Sequence, residues 1–191
     1  MNKIIFIDTE TGGVNAEKSA LIQLSGIIEV NGVEKEKFNF YIKPFENSEV
    51  NEKALEVQGR TLEELRTDKY IDESIIYKKF LEILDKYIDK YDKNDKFIVA
   101  GYNVKFDIDI LKALFERNNN KFLFSYFNSS MLDPLYSVRL LQVAGMLPVL
   151  ENNKLETWCK YFNIELKAHD SLQDITATKK LIEKLIELIK K

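Results

Sequence analysis

Ile4-Ile5-Phe6-Ile7-Asp8-Thr9-Glu10-Thr11-Gly12-Gly13 is the stretch on which the reading of this chain turns. Four consecutive apolar residues running into an acidic, glycine-containing turn describe a strand buried on both faces, the kind found inside an α/β sheet. Residues two apart on a strand face the same side, so the Asp8 and Glu10 carboxylates leave the strand end together. Taken alone, such a pair before a Gly-Gly turn is usually just a solvated strand end.

Working outward, Leu21 to Val30 and Glu36 to Ile42 read as strands joined through Asn31-Gly32, a strong hairpin signal. Asn51 to Leu65 suggests two short helices broken at Gly59. Ile76, Phe80, Leu84, Tyr87 and Tyr91 then recur at helical spacing and predict one long amphipathic helix. Asp85 to Lys96 holds four Asp and four Lys, whose charges cancel, so it reads as a solvated helix end and loop. Phe97 to Gly101 is the next strand, followed by a helix over Val104 to Asn118. Phe122 to Phe127 reads as aromatic packing or a strand, and Met131 to Asp133 as a short strand broken by Pro134. Helices over Leu135–Val143, Leu155–Phe162 and Leu172–Ile189 complete the pattern. With no repeat and no linker-like stretch, residues 1–191 are expected to form one α/β domain with an antiparallel hairpin beside parallel strands.

Composition excludes several chemistries. The 191 residues carry 28 Lys+Arg against 31 Asp+Glu, a net charge of −3, which argues against an unspecific DNA coat or a polybasic membrane binder. A single cysteine, Cys159, excludes an internal disulfide framework and multi-cysteine zinc sites; a single histidine, His169, excludes two-histidine metalloprotease sites. Neither a G-x-S-x-G elbow nor a phosphate-binding G-x-x-x-x-G-K-[ST] loop occurs. The apolar run at the start is too short for a signal peptide. Leu140 to Leu150 is about half the ~20 residues that a membrane span needs, so a soluble, cytoplasmic protein with no membrane partner is expected.

Two further acidic blocks follow. In Asn103-Val104-Lys105-Phe106-Asp107, Asn103 is placed to cap a helix, putting Asp107 just past the first turn. In His169-Asp170-Ser171-Leu172-Gln173-Asp174, Ser171-x-x-Asp174 has capping-box form, so Asp174 could serve only to start the last helix. Residues five apart on a helix diverge by about 140°. His169 and Asp174 therefore converge only if the histidine lies in the loop ahead of a helix beginning near Ser171. Each block has a bland reading alone. Together they bring four carboxylates toward one place, where they repel one another unless a cation intervenes. Oxygen ligands without cysteine select Mg²⁺ or Mn²⁺, and such a site suits two-metal phosphoryl chemistry.

Asp8-Thr9-Glu10-Thr11-Gly12, Asn103-x-x-Phe106-Asp107 and His169-x-x-x-x-Asp174 resemble, in order and spacing, the three motifs of the DEDDh, or DnaQ-like, 3′–5′ exonucleases. That family includes the proofreading subunit of the bacterial replicative polymerase, ribonuclease T and oligoribonuclease. A fourth segment, Ala54-x-x-Val57-Gln58-Gly59-x-Thr61, is similar to a family stretch near the 3′-terminal nucleotide. The resemblance implies a ribonuclease H-like fold with a mixed five-stranded sheet flanked by helices. It implies that Asp8, Glu10 and Asp174 ligate two divalent cations, Mg²⁺ or Mn²⁺, and that Asp107 helps hold the second. It makes His169 the general base, and puts Thr11, Gly12, Gln58, Asn103 and Phe106 on the substrate side, Phe106 serving chiefly as core packing.

The implied activity is removal of nucleoside 5′-monophosphates from single-stranded or frayed DNA 3′ ends, with a polymerase or other replication protein as a partner. The same chemistry on RNA ends, and a silent nucleic-acid-binding module, are the alternatives. Retention of all five site residues counts against the silent module. The chain departs from the family pattern at Gly13, Gln58, Ser171 and Ile175, where threonine, histidine, alanine and a small residue are common. Only four arginines occur (Arg60, Arg66, Arg117, Arg139), so no bidentate phosphate clamp is expected.

Overall fold

The structure, a computed structural model, describes residues 2–167 and 169–190. Strand β1 (Lys3–Thr11) pairs antiparallel with β2 (Leu21–Val30), which pairs antiparallel with β3 (Val33–Tyr41). The β2–β3 turn is the expected one, with Asn31 and Gly32 both left-handed at φ 53° and 77°. On its other side β1 pairs parallel with the short β4 (Ile98–Ala100), giving the mixed order β3-β2-β1-β4. Helices α1 (Glu52–Val57), α2 (Glu73–Asp85), α3 (Lys105–Arg117), α4 (Pro134–Val143), α5 (Leu155–Tyr161) and α6 (Ser171–Ile189) surround the sheet. Among the described residues no helix is long and apolar enough to cross a membrane.

The sheet has four strands rather than the expected five. The segment after Tyr126 touches β4 and its flank at two isolated parallel bridges, Phe97 to Phe127 and Ala100 to Leu132. Between them the Asn128 side chain accepts from Ser130 N at 2.9 Å, a local turn that lifts the backbone off the ladder. Pro134 then starts α4 at its first position, so the pairing never becomes continuous. The α2 helix is also shorter than its periodicity predicts. It stops at Asp85, and Tyr91 is 89% exposed, because Asp89 and Asp92 accept from nearby backbone N–H groups and fold the chain into turns.

Strand β1 is buried on both faces, as its sequence predicts, and its alternation sets up everything that follows. Ile5 and Ile7 enter the main core with Phe80, Leu111 and Phe115 of α2 and α3. Phe6 turns the other way, against Ile175 and Ile182 of α6. The same two-residue period carries Asp8 and Glu10 onto the α6 side and Thr9 toward α3.

Candidate active site

The strand continues past its apolar run, so Asp8 and Glu10 lie within β1 and not in a turn. They meet Asp174, in the first turn of α6, with one carboxylate oxygen from each of the three lying within 4.8 Å of the others. Asp107 joins from the side. Because β4 pairs only with Ile4, Ile5 and Phe6, the edge of β1 beyond them is left to the start of α3. There Asp107 Oδ1 accepts from Thr9 N at 2.9 Å and Thr9 Oγ1 at 2.7 Å, satisfying a strand N–H that β4 does not reach.

Both helix starts differ from the sequence expectation. Asn103 does not cap α3: it is left-handed (φ 57°) and exposed, and Val104 occupies the cap position. The work is done by buried Asp133, whose two oxygens accept from Asn103 N and Val104 N, each at 3.2 Å. Asp133 also caps α4 by accepting from Leu135 N at 3.0 Å. At α6 the cap is Asp170, which accepts from Gln173 N at 3.2 Å, not Ser171. Ser171 is fully buried, its Oγ 2.6 Å from Ser25 Oγ on β2, where it holds the helix close to the sheet. Asp174 is therefore not half of a Ser171 capping box. Its Oδ2 accepts from His169 N at 3.3 Å, and its Oδ1 is buried with no partner.

His169 lies in the loop before α6, as the 140° divergence requires, in a left-handed conformation (φ 67°). Its half-exposed side chain has Nε2 3.5 Å from Glu156 Oε1. Gln58 donates from Nε2 to the Thr11 carbonyl at 2.8 Å. Gly12 is buried, and a Cβ there would lie 2.8 Å from the Glu49 carbonyl, so the glycine is required by the 49–50 backbone packed on it. Phe106 is half-buried against the main core and lines a cleft of about 520 Å³ with Val14, Ala16 and Asp109. Three residues were not evident from sequence: Thr9, Asp133 and Arg60. Thr9 was open to discovery, since its period-2 position points it away from Asp8 and Glu10. Asp133 ahead of Pro134 carries a local helix-cap signature, but nothing local marks its reach to Asn103 and Val104, and Arg60 has no local signal.

The electrostatics are those of a site built for a cation. Burial, followed by the charges of Asp107, Asp174 and Glu10, holds the Asp8 carboxyl well above its ordinary value. Burial and then Asp174 push Glu10 up to about 7, with Arg60 opposing. Burial raises Asp107 despite its Thr9 bonds, and raises Asp174 to about 6 despite the His169 N–H. The unpartnered Asp174 oxygen and the mutual repulsion both fit a divalent ion held among Asp8, Glu10 and Asp174.

These shifts predict a pH effect. Folded-state values above the unfolded ones mean that the native protein retains protons the unfolded chain has lost, so this stabilisation is present at low pH and disappears as pH rises. In chelator the melting temperature should fall between about pH 4.5 and 7.5, through the Asp174 value near 6 and the Glu10 value near 7. Saturating Mg²⁺ or Mn²⁺ should flatten that decline, because an ion bound only by the folded state offsets the repulsion. Scanning calorimetry across pH checks this; a chelator curve that is flat or rising would contradict the cluster.

Comparison with known proteins gives the same answer. The family model RNase_T, described as Exonuclease, matches residues 5–182. Ribonuclease T of Histophilus somni is 28% identical over 199 residues, covering 98% of this chain and 84% of that protein. A PolC-type DNA polymerase III of Bacillus cereus is 26% identical over 184 residues, 96% of this chain but 11% of the polymerase. Among solved structures, Escherichia coli Exonuclease I bound to a dT13 oligonucleotide superposes with a TM-score of 0.79 at 23% identity, covering 97% of this chain and 41% of that one. The last likeness concerns the fold, and the chain spans about two fifths of Exonuclease I. Carried by the family match over nearly its whole length, the chain belongs to the exonuclease family, as a 3′–5′ exonuclease of the DEDDh type.

Proposed function

We propose that this exonuclease removes nucleotides one at a time from the 3′ end of single-stranded or frayed DNA, releasing nucleoside 5′-monophosphates, and that residues 1–191 act as one catalytic domain. The observation that carries the reading is the convergence of Asp8, Glu10 and Asp174 at the open end of β1, with Asp107 beside them. Two divalent cations, Mg²⁺ or Mn²⁺, would supply Lewis acidity to the scissile phosphate and its leaving oxygen. Asp8, Glu10 and Asp174 would hold them, and Asp107, fixed by Thr9, would help hold the second. His169 accepts the proton of the attacking water; its half-exposed ring on the loop before α6 suits a group that must exchange that proton with solvent.

On the substrate side, Thr11 and Gln58 border the terminal nucleotide, Asn103 offers an exposed amide, Phe106 backs the cleft, and Gly12 shapes the turn between them. We place the protein in the cytoplasm, where its single buried cysteine, Cys159, would stay reduced. The relatives point to two settings: the match spans 84% of ribonuclease T, whereas in PolC it is 11% of a much longer polymerase. A polymerase or other replication protein is accordingly the proposed partner. Ribonuclease T also keeps the RNA reading in play. The test is parallel digestion of 5′-labelled DNA and RNA oligonucleotides of the same sequence with Mn²⁺. A ladder shortening from the 3′ end, faster on DNA and absent when that end is blocked, is the expected result. Cleavage of a circular single strand would overturn it.

A further inference from the structure

A buried guanidinium without a carboxylate stands beside the acidic cluster. Arg60, in the turn after α1, is 9% exposed, and its Nη2 donates to Gln23 Oε1. Gln23 lies opposite Glu10 in the β1–β2 register and opposite Tyr41 in the β2–β3 register. Glu10, Gln23 and Tyr41 therefore form one row on one face of the sheet. The Arg60 guanidinium covers that row, its central carbon 5.6 Å from the centroid of the Tyr41 ring. Its Nη1 is buried and has no partner.

Arg117 shows what a paired arginine looks like in this protein. Its Nε and Nη2 grip both oxygens of Glu73 at 2.9 and 2.7 Å. Among the described residues Arg60 makes no ion pair within 4.0 Å. Burying a charge without a counter-ion is costly, and one amide oxygen and an aromatic face offset only part of that cost. None of these contacts gives Nη1 a partner, and its place suits an anion that arrives beside Glu10. In an exonuclease that anion is the phosphate under attack.

We infer that Arg60 is a phosphate-binding residue of this site, its Nη1 donating to a non-bridging oxygen of the 5′-phosphate of the 3′-terminal nucleotide. The contact persists on the released monophosphate. The inference rests on the exonuclease reading. Gln23 fixes the guanidinium by its second amine, and Gln23 Nε2 is itself held by Asn39 Oδ1 at 2.8 Å, so the fork is preorganised. The alternative is that Arg60 only props Gln23 in place.

The two roles separate in binding. Thymidine 5′-monophosphate and thymidine are titrated calorimetrically into the native, Arg60→Met and Arg60→Lys proteins in Mn²⁺. Loss of a charge-assisted bond to phosphate is expected to weaken the monophosphate about 10- to 100-fold in Arg60→Met while leaving thymidine unchanged. The melting temperature of the ligand-free variant should equal or exceed the native one, since an unpaired buried charge has been removed. Arg60→Lys, whose shorter ammonium cannot keep Gln23 and reach the phosphate together, should also lose monophosphate preference. A monophosphate-to-thymidine ratio that stays native in both variants, or a parallel loss of both ligands, would overturn the inference. Digestion of a labelled oligonucleotide by the native protein is run alongside. Native turnover with an unchanged ratio rejects the role of Arg60 alone, whereas absence of native turnover rejects the exonuclease reading itself.

Discussion

Asp174→Asn is expected to reduce nuclease turnover to background while the protein, in chelator, melts at or above the native temperature. The two halves of that result come from different parts of the site. Asp174 Oδ1 is buried and unpartnered, so in the absence of an ion it contributes repulsion and no bond. Asparagine keeps an acceptor for the His169 N–H, and α6 keeps its cap because that cap is Asp170. What is lost is the anionic oxygen that holds a cation. Asp8→Ala and Glu10→Ala should be equally inactive. Asp107→Ala should be inactive and also less stable by about 1–3 kcal/mol, because it leaves the Thr9 N–H and hydroxyl buried without an acceptor. Turnover by single-turnover digestion and melting by calorimetry distinguish these cases. An active Asp174→Asn protein would return the residue to a structural role.

The second large effect belongs to His169. A general base contributes about 10²–10⁴-fold, and the His169→Asn variant should lose about that much with metal binding retained. Asparagine is the substitution of choice because the position is left-handed at φ 67°, a conformation asparagine tolerates and alanine does not. The side chain is half-exposed, so its removal opens no cavity and the loss cannot be ascribed to unfolding. Metal affinity is read from the ion-induced rise in melting temperature. A variant with near-native rates would require a different proton acceptor, and Glu156, 3.5 Å from the ring, would be the first to replace.

The cluster was legible in the sequence because its residues carry local signatures. A strand period places Asp8 with Glu10, a helix start places Asp174, and the single histidine occupies one slot. The hairpin was legible for the same reason: Asn31-Gly32 states its own turn type. Where the sequence misled, two local codes competed for the same residues. Ser171-x-x-Asp174 looks like a capping box, but Ser25 on β2, 146 positions away, claims the serine and leaves the cap to Asp170. Asn103 looks like a helix cap, yet a carboxylate 30 residues on takes its backbone N–H. The fifth strand failed at Asn128, whose side chain outbid the ladder. Arg60 was invisible because nothing adjacent in sequence tells a buried arginine from a solvated one.

Asp133 ties these observations to how the molecule opens. A single carboxylate holds the amides of Asn103, Val104 and Leu135, and so the first turn of α3, which carries Asp107, and the first turn of α4. Breaking that lock frees both helix starts together. In hydrogen exchange the three amides, separated by thirty residues of chain, are expected to open together. The start of the helix that carries the acidic residue beside β1 is thus tied to the start of α4 through a single side chain.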